Sequence, residues 1–456
     1  MSEEELQTAK EQLDSHFEEE LEEELSSTDI AEYLRTIKKN DDEEYEKYLE
    51  KLDPEVLGEV AMEMPDHMIK DVIEILPKDK VVEAIEELES DDQVELLKYI
   101  KEIDQKKARE LFNELDKDDQ EDILKLSNYS DEEAGSYMQT ELFSASSSET
   151  LESAIKRLKR LKEEGELQDI YQLFVVDSDN KLKYAIPLYD LITCNFSETI
   201  GNIVSNAPED EYKPHFALDS DNIEDVAVDF QEFDLSVLPI VNSNGVLVGR
   251  ITTDDIHDFI QESATEQIYN LAGLDDEAEE ENDTIYKACV SRASWLFLNL
   301  GTALLSSSVI SLFGNTIESF VALAILMPIV SGMGGNTGTQ ALTVTVRKLA
   351  LGEIEFSDAK YVLKREVGIA MMNSVIFGIM LGIISAFWFN TPVLGVVICC
   401  AMIINFSFAG FLGAIIPMTL KKLKIDPAVG SSVLLTAFTD TIGFLSFLGL
   451  ATWMLI

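Results

Sequence analysis

The chain has 456 residues, with 35 Lys and Arg against 86 Asp and Glu, for a formal net charge of −51. So large a negative excess repels nucleic acid and anionic lipid and attracts cations. Its four cysteines (Cys194, Cys289, Cys399, Cys400) contain no CxxC pair and suggest neither a disulfide framework nor a zinc knuckle.

The charge is uneven. From Tyr286 onward there are 10 basic and 7 acidic residues, net +3, so the preceding 285 residues carry −54. An acidic soluble part therefore precedes a membrane part. At Met1 stands SEEEL rather than a basic run followed by an apolar one, so no cleaved signal is expected and the acidic part is assigned to the cytoplasm. Residues 1–29 read as an acidic tail, a frayed or solvated helix to which no role is assigned. Over 30–134, helix-start signals recur at Asp53-Pro54, Pro65-Asp66, Pro77-Lys78, Ser90-Asp91, Asp104, Asp116 and Ser130, each followed by apolar pairs such as Val81-Val82 or Leu96-Leu97. Short helices with Asp or Ser caps and Pro in the first turn, stacked in series, predict an all-α superhelical domain.

From 135 the pattern changes to alternating helices and strands, in two copies assigned to 135–199 and 200–263. The first has a helix over Thr150 to Leu161 and strands over Ile170 to Val176 and Leu182 to Pro187. The second has a helix over Asn222 to Glu232 and strands over Val237 to Val241 and Val246 to Thr252, before a helix from Thr253. The segments Leu238-Pro239-Ile240-Val241 and Gly249-Arg250-Ile251-Thr252-Thr253-Asp254-Asp255 resemble a cystathionine-β-synthase (CBS) domain, one of a tandem α/β pair. The first copy carries Tyr184-Ala185-Ile186-Pro187, without the Gly. The resemblance implies an adenine nucleotide such as ATP, bound through the Thr and Asp of the motif. Residues 264–292 read as a connecting helix, or two, leading into the membrane.

Five spans are expected in a transmembrane domain over 293–456: roughly Trp295–Phe313, Ser319–Val346, Val367–Phe389, Val393–Leu420 and Pro427–Ile456. The basic residues of this part flank the spans on one side only, the side of the acidic half, which predicts a cytoplasmic amino-terminal part and an outward carboxyl terminus. Within the last span lies one carboxylate, Asp440, costing roughly 2.5–3.5 kcal/mol at the bilayer centre and therefore expected to face a bundle interior or a wet path. The alternative is a hydrogen-bonded Asp tying helices together with help from Thr439 and Thr441. The second span contains Met327-Pro328 and Gly332-Met333-Gly334-Gly335-Asn336-Thr337-Gly338-Thr339-Gln340, small and polar residues that membrane-depth helices carry against protein or water. All four histidines (His16, His67, His215, His257) lie outside this part, which favours a hard cation bound through oxygen. Five spans are few for a pore, so a homodimer with the path between copies is expected.

The run Met333 to Gln340 with Arg347, then Asp426-Pro427-Ala428 and Thr439-Asp440, together with Arg292-Ala293-Ser294-Trp295-Leu296, resembles the MgtE family of magnesium channels. The resemblance implies a Mg²⁺ channel in which Asp440 of each copy holds a hydrated ion, with carbonyls and amides of Gly334, Gly335, Asn336 and Thr339 nearby. It also implies closure by cytoplasmic Mg²⁺ held on acidic surfaces, here at Glu224, Asp234, Asp255, Asp258, Glu266 and Asp426, with Gln267 standing where an acid is otherwise found. Two rival functions stay open at this point: a membrane-anchored nucleotide sensor and a proton-coupled divalent cation exchanger. No nucleophile with a base in recognisable context argues for an enzyme.

Overall fold

Why the amino-terminal half is a stack of short helices follows from where its caps fall. Helices α1 (Glu3–Phe17), α2 (Ser27–Lys38), α3 (Asp42–Lys51), α4 (Pro54–Met62), α5 (Asp66–Ile75), α6 (Lys78–Glu86), α7 (Ser90–Ile103), α8 (Gln105–Phe112) and α9 (Lys117–Leu126) follow one another with turns of a few residues. Asp53 precedes Pro54, and Asp104 accepts from the backbone N–H groups of Lys106 and Lys107 at 2.8 and 3.1 Å. Asp104 thereby satisfies two of the donors that a helix start leaves free, while Pro54, in the first turn of α4, has no N–H to satisfy. Each helix buries one stripe, as α2 does with Ile30, Ala31, Leu34 and Ile37. Packing joins both neighbours in the chain, as α1 on α2 and α7 on α8, and helices two apart, as α4 on α6, α5 on α7 and α7 on α9. Ser130 starts no α-helix: a turn and a short 3-10 segment, Ala134–Ser136, follow it.

The structure is a computed structural model that describes residues 3–18, 25–163, 165, 167, 170–274 and 285–455. It divides into two units, Met1–Phe259 and Ile260–Ile456. The amino-terminal tract differs from the expected frayed or solvated helix. In α1, Ala9 and Leu13 are buried, Tyr48 donates to Asp14 at 2.9 Å, and Lys10 pairs with Glu44. Sparse apolar residues suffice because they fall four apart, on one face against α2.

The two α/β modules repeat one topology. In the first, β1 (Ser144–Ser146) lies parallel to β2 (Gln172–Val176), which is antiparallel to β3 (Leu182–Pro187). Its helices are α10 (Leu151–Glu163), α11 (Leu188–Thr193) and α12 (Ile200–Asn206). In the second, β4 (Ala217–Leu218) pairs parallel with β5 (Val237–Val241), antiparallel to β6 (Leu247–Thr252), with α13 (Ile223–Glu232) and α14 (Thr253–Ala272) around them. Both sheets shift register at the last residues of the central strand, Val175/Val176 and Ile240/Val241. Their hairpin turns bond to each other, Leu182 N–H to Gly245 O at 3.1 Å and Leu247 N–H to Asn180 O at 2.9 Å. Phe174, Val176, Val237, Val241 and Leu247 close a shared apolar seam.

Helix α14 continues past the expected module boundary to Ala272, and Gly273 ends it at φ 72°. The acidic stretch Asp275 to Asp283 lies outside the described residues. The second unit then comprises α15 (Ile285–Ser311), α16 (Gly314–Ser319), α17 (Ala322–Ala350), α18 (Ala359–Trp388), α19 (Pro392–Lys422) and α20 (Ser431–Leu455). α19 is its axis, packed by α17, α18 and α20, with Ile398, Ala401, Met402 and Phe406 in the core.

Among the described residues, four helices, Ala288–Ser311, Phe356–Trp388, Pro392–Lys422 and Ser431–Leu455, are long and apolar enough to cross a membrane. The fifth expected span, α17, has the length at 29 residues, but the polar run through Asn336, Thr337, Thr339 and Gln340 dilutes its apolar character. The last helix begins at Ser431 and not at Pro427, because Gly430 takes a left-handed φ of 68° that ends the preceding turn.

Candidate ion path and acidic surface

Asp440 is the tenth of the 25 residues of α20, about 14 Å from its start at about 1.5 Å per residue. Its side chain is half-buried, and Ser331 of α17 donates a short hydrogen bond from Oγ to its Oδ1. Neither neighbouring threonine helps. Thr439 is buried and donates to Leu435 O at 2.9 Å in its own helix, while Thr441 meets Ser306 of α15 at 3.2 Å.

One turn along α17 the backbone is drawn tight. Asn405 of α19 is fully buried, and its Nδ2 donates to Val330 O at 2.9 Å. A Cβ at Gly334 would stand 2.1 Å from that nitrogen, and one at Gly443 of α20 2.8 Å from it. Asn405 is thus wedged between the helix that carries the glycine run and the helix that carries Asp440.

Gly334 is buried against this wedge, whereas Gly335 has open space around it and Asn336 and Thr339 are exposed. Gly332, Asn336, Thr339, Gln340 and Thr343 are all exposed and recur at three- and four-residue spacing, a polar stripe on one face of α17.

The acids expected to sense cations fall in separate places. Glu224 and Asp234 are exposed on α13 and just beyond its end, and Asp234 takes φ 51°. Asp258 is exposed on α14, where partial burial and Asp254 raise its pKa against the pull of His257. Asp255 accepts from Thr252 N–H and Oγ1 at 3.0 and 2.7 Å, so its carboxylate closes the start of α14. Burial nevertheless pushes its pKa up to about 6. In the second unit Asp426 accepts from Ala428 N–H at 2.9 Å and from Asn270 Nδ2 at 3.0 Å, and the same amide lies 3.3 Å from Glu266. Asn270 therefore links the two carboxylates the sequence put forward. Among the described residues, no three His, Cys, Asp or Glu side chains converge closely enough to hold a metal by themselves.

Sequence reasoning missed a further acidic group. Around the start of α7, Glu89, Asp91 and Asp92 stand close enough to Asp255 and Glu141 for their charges to interact. Burial first, then these like charges, push Glu89 to about 8 and Asp92 to about 7 and hold Asp91 well above the carboxylate range. Buried Arg250, whose guanidinium is 3.1 Å from Glu89, partly offsets this on Glu89. Ser90 adds a hydrogen bond to Glu141 at 3.0 Å. The signal was present: three acids within four residues exceed what one helix start needs.

The MgtE intracellular N domain matches residues 25–132, the CBS domain matches 134–195 and 211–262, and MgtE, described as a divalent cation transporter, matches 327–450. A magnesium transporter MgtE of Thermus thermophilus is 30% identical over 336 residues, covering 72% of each chain. One of Enterococcus faecalis is 32% identical over 330 residues, covering 72% of this chain and 71% of its own. Among solved structures, the cytosolic domain of the Mg²⁺ channel MgtE in complex with ATP is similar at 26% identity and TM-score 0.46, covering 52% of this chain and 91% of that one. On the family models and the two curated relatives, the chain belongs to the MgtE family of magnesium transporters and is a transport protein rather than an enzyme.

Proposed function

We propose that the chain is a Mg²⁺ channel of the cell membrane that works as a homodimer, with α15 and α17 to α20 as its five spans. The observation that carries this reading is the uncovered polar stripe of α17 beside α20, which holds Asp440. Amides and hydroxyls facing hydrocarbon cost several kcal/mol each, so such a face demands water or a second copy. Mg²⁺ keeps most of its waters and is usually held through one or two carboxylates. Two Asp440 side chains across a twofold axis suit it, with Gly334, Gly335, Asn336 and Thr339 supplying carbonyls, amides and hydroxyls to the ion's waters. Entry is driven by the membrane potential, about 4.6 kcal/mol for a divalent ion per 100 mV. The amino-terminal modules lie in the cytoplasm and the carboxyl terminus outside.

In this reading, cytoplasmic Mg²⁺ closes the path by neutralising acids: Glu224, Asp234, Asp255 and Asp258 on the soluble modules, Glu266 and Asp426 nearer the membrane. The gathering of Glu89, Asp91 and Asp92 around Asp255 supports it, because like charges brought close together are relieved by a divalent cation. Moving a gate from 1:99 to 99:1 takes about 5.5 kcal/mol, while each site filled tenfold above its dissociation constant adds about 1.4 kcal/mol. About four sites suffice. The CBS pair is proposed to take ATP as a further regulator.

The test is Mg²⁺ flux into vesicles containing the full chain. Asp440→Ala is expected to abolish flux while leaving folding intact. Undiminished flux would remove Asp440 from the path, and flux that follows an imposed pH gradient would favour the proton-coupled exchanger.

A further inference from the structure

Hydroxyls in the helices of the second unit mostly bond back onto their own helix. Thr337 donates to Met333 O at 2.9 Å, Thr345 to Ala341 O at 2.7 Å and Ser407 to Ile403 O at 2.7 Å. That is the ordinary habit of Ser and Thr in helices, where the carbonyl one turn back is the nearest acceptor. Ser331 does otherwise: its Oγ crosses from α17 to α20 and donates to Asp440 Oδ1. The residue before it is fixed independently, since buried Asn405 donates to Val330 O at 2.9 Å. The same amide group packs on Gly334 and Gly443, one turn beyond Ser331 and Asp440 along their helices. Asn405 Oδ1 is buried without a partner, a sign that the amide is held by its place between the helices and not by its own saturation.

We infer that Ser331 is a positioning residue for Asp440, and that Asn405 holds α17 and α20 at the spacing this contact needs. The inference rests on the reading of Asp440 as the ion site. A carboxylate offers two oxygens and about four lone-pair positions. The hydroxyl fills one on Oδ1, fixes the rotamer and adds no positive charge. Oδ2 keeps its full negative character for a water of the hydrated ion. A Lys or Arg in the same place would cancel the charge that attracts Mg²⁺. A hydrogen bond from a neutral donor to a charged acceptor is strong enough that its loss corresponds to at least about a tenfold change in an equilibrium.

The experiment measures Mg²⁺ flux into vesicles holding the full chain, with the cytoplasmic side free of Mg²⁺, as a function of external Mg²⁺. Ser331→Ala is expected to raise the half-saturating concentration about tenfold, with a smaller effect on maximal flux and a melting temperature close to the parent's. Ser331→Thr, which keeps a hydroxyl on Cβ, is expected to recover most of the loss. Asn405→Leu, close in shape and free of polar atoms, keeps the fold and raises the half-saturating concentration in the same direction. Two results overturn the inference: unchanged half-saturation in Ser331→Ala, or a parallel fall in stability and maximal flux at unchanged half-saturation, which marks a structural tie alone. Asp440→Ala separates the two readings. If it abolishes flux while Ser331→Ala is silent, only the positioning role fails; if it leaves flux intact, the pore reading falls first.

Discussion

Gly334 and Gly335 are adjacent in sequence and have opposite duties. A methyl group at Gly334 would meet the Asn405 amide at 2.1 Å, whereas a methyl at Gly335 meets nothing within 4 Å. Overpacking of that kind costs about 1–3 kcal/mol. Gly334→Ala is therefore expected to lower the melting temperature of the detergent-solubilised protein, and Gly335→Ala to leave it unchanged while reducing Mg²⁺ flux if that position lines the path. Equal losses of stability would contradict the packing assigned to Asn405. At this scale the sequence marked the glycines as a group. Which of them is packed and which is open depends on where Asn405, some seventy residues later, comes to rest.

Among the elements, α20 places Asp440, and its beginning depends on one backbone angle. Gly430 has φ 68°, and the Trp295 ring of α15 lies 3.9 Å from the position a Cβ would take there. An L-residue pays about 1–2 kcal/mol for that conformation. Gly430→Ala is expected to destabilise the second unit by about this much, read as a lower melting temperature; an unchanged melting temperature would mean that the turn re-forms at no cost. Proline in the first turn of a helix is a sound signal, as Pro54 and Pro392 bear out. It misleads at Pro427, because Gly430 ends the turn and Ser431 begins the helix. The tract before residue 30 was misjudged for a related reason: Ala9 and Leu13 are too sparse to mark a core helix until α2 supplies the facing surface.

On the scale of the whole molecule the dominant fact is the −51 charge and its concentration before Tyr286. Around Glu89, Asp91, Asp92 and Asp255, burial and mutual repulsion hold carboxyl pKa values above their ordinary range, to about 8 at Glu89 and about 7 at Asp92. For such groups the fold favours the protonated form. Their contribution to stability is complete below the ordinary carboxylate pKa and is lost as pH climbs through the raised values. Without divalent cations, the full chain is thus expected to grow more sensitive to protease in its amino-terminal half between pH 5 and pH 8. On the proposed reading millimolar Mg²⁺ takes the place of the departing protons, so the protection it gives should be larger at pH 8 than at pH 5.5. Protection independent of pH, or none, would count against these acids as the sensing surface.

The sequence by itself determined the succession of short helices, the two strand–turn–strand modules, four of the five expected apolar spans and the single carboxylate in the last of them. Each of these rests on local chemistry: a cap, a two-residue period, a run of apolar side chains, a charge where charge is costly. Only the tertiary structure decided that Ser331 reaches Asp440, that Asn405 separates Gly334 from Gly443, that Asn270 joins Glu266 to Asp426, and that Asp255 shares its surroundings with Glu89, Asp91 and Asp92. Each of these groupings joins segments that lie far apart along the chain. Hydrogen bonds and charge repulsion act over a few ångströms of space, and separation along the chain carries no record of which residues will come that close.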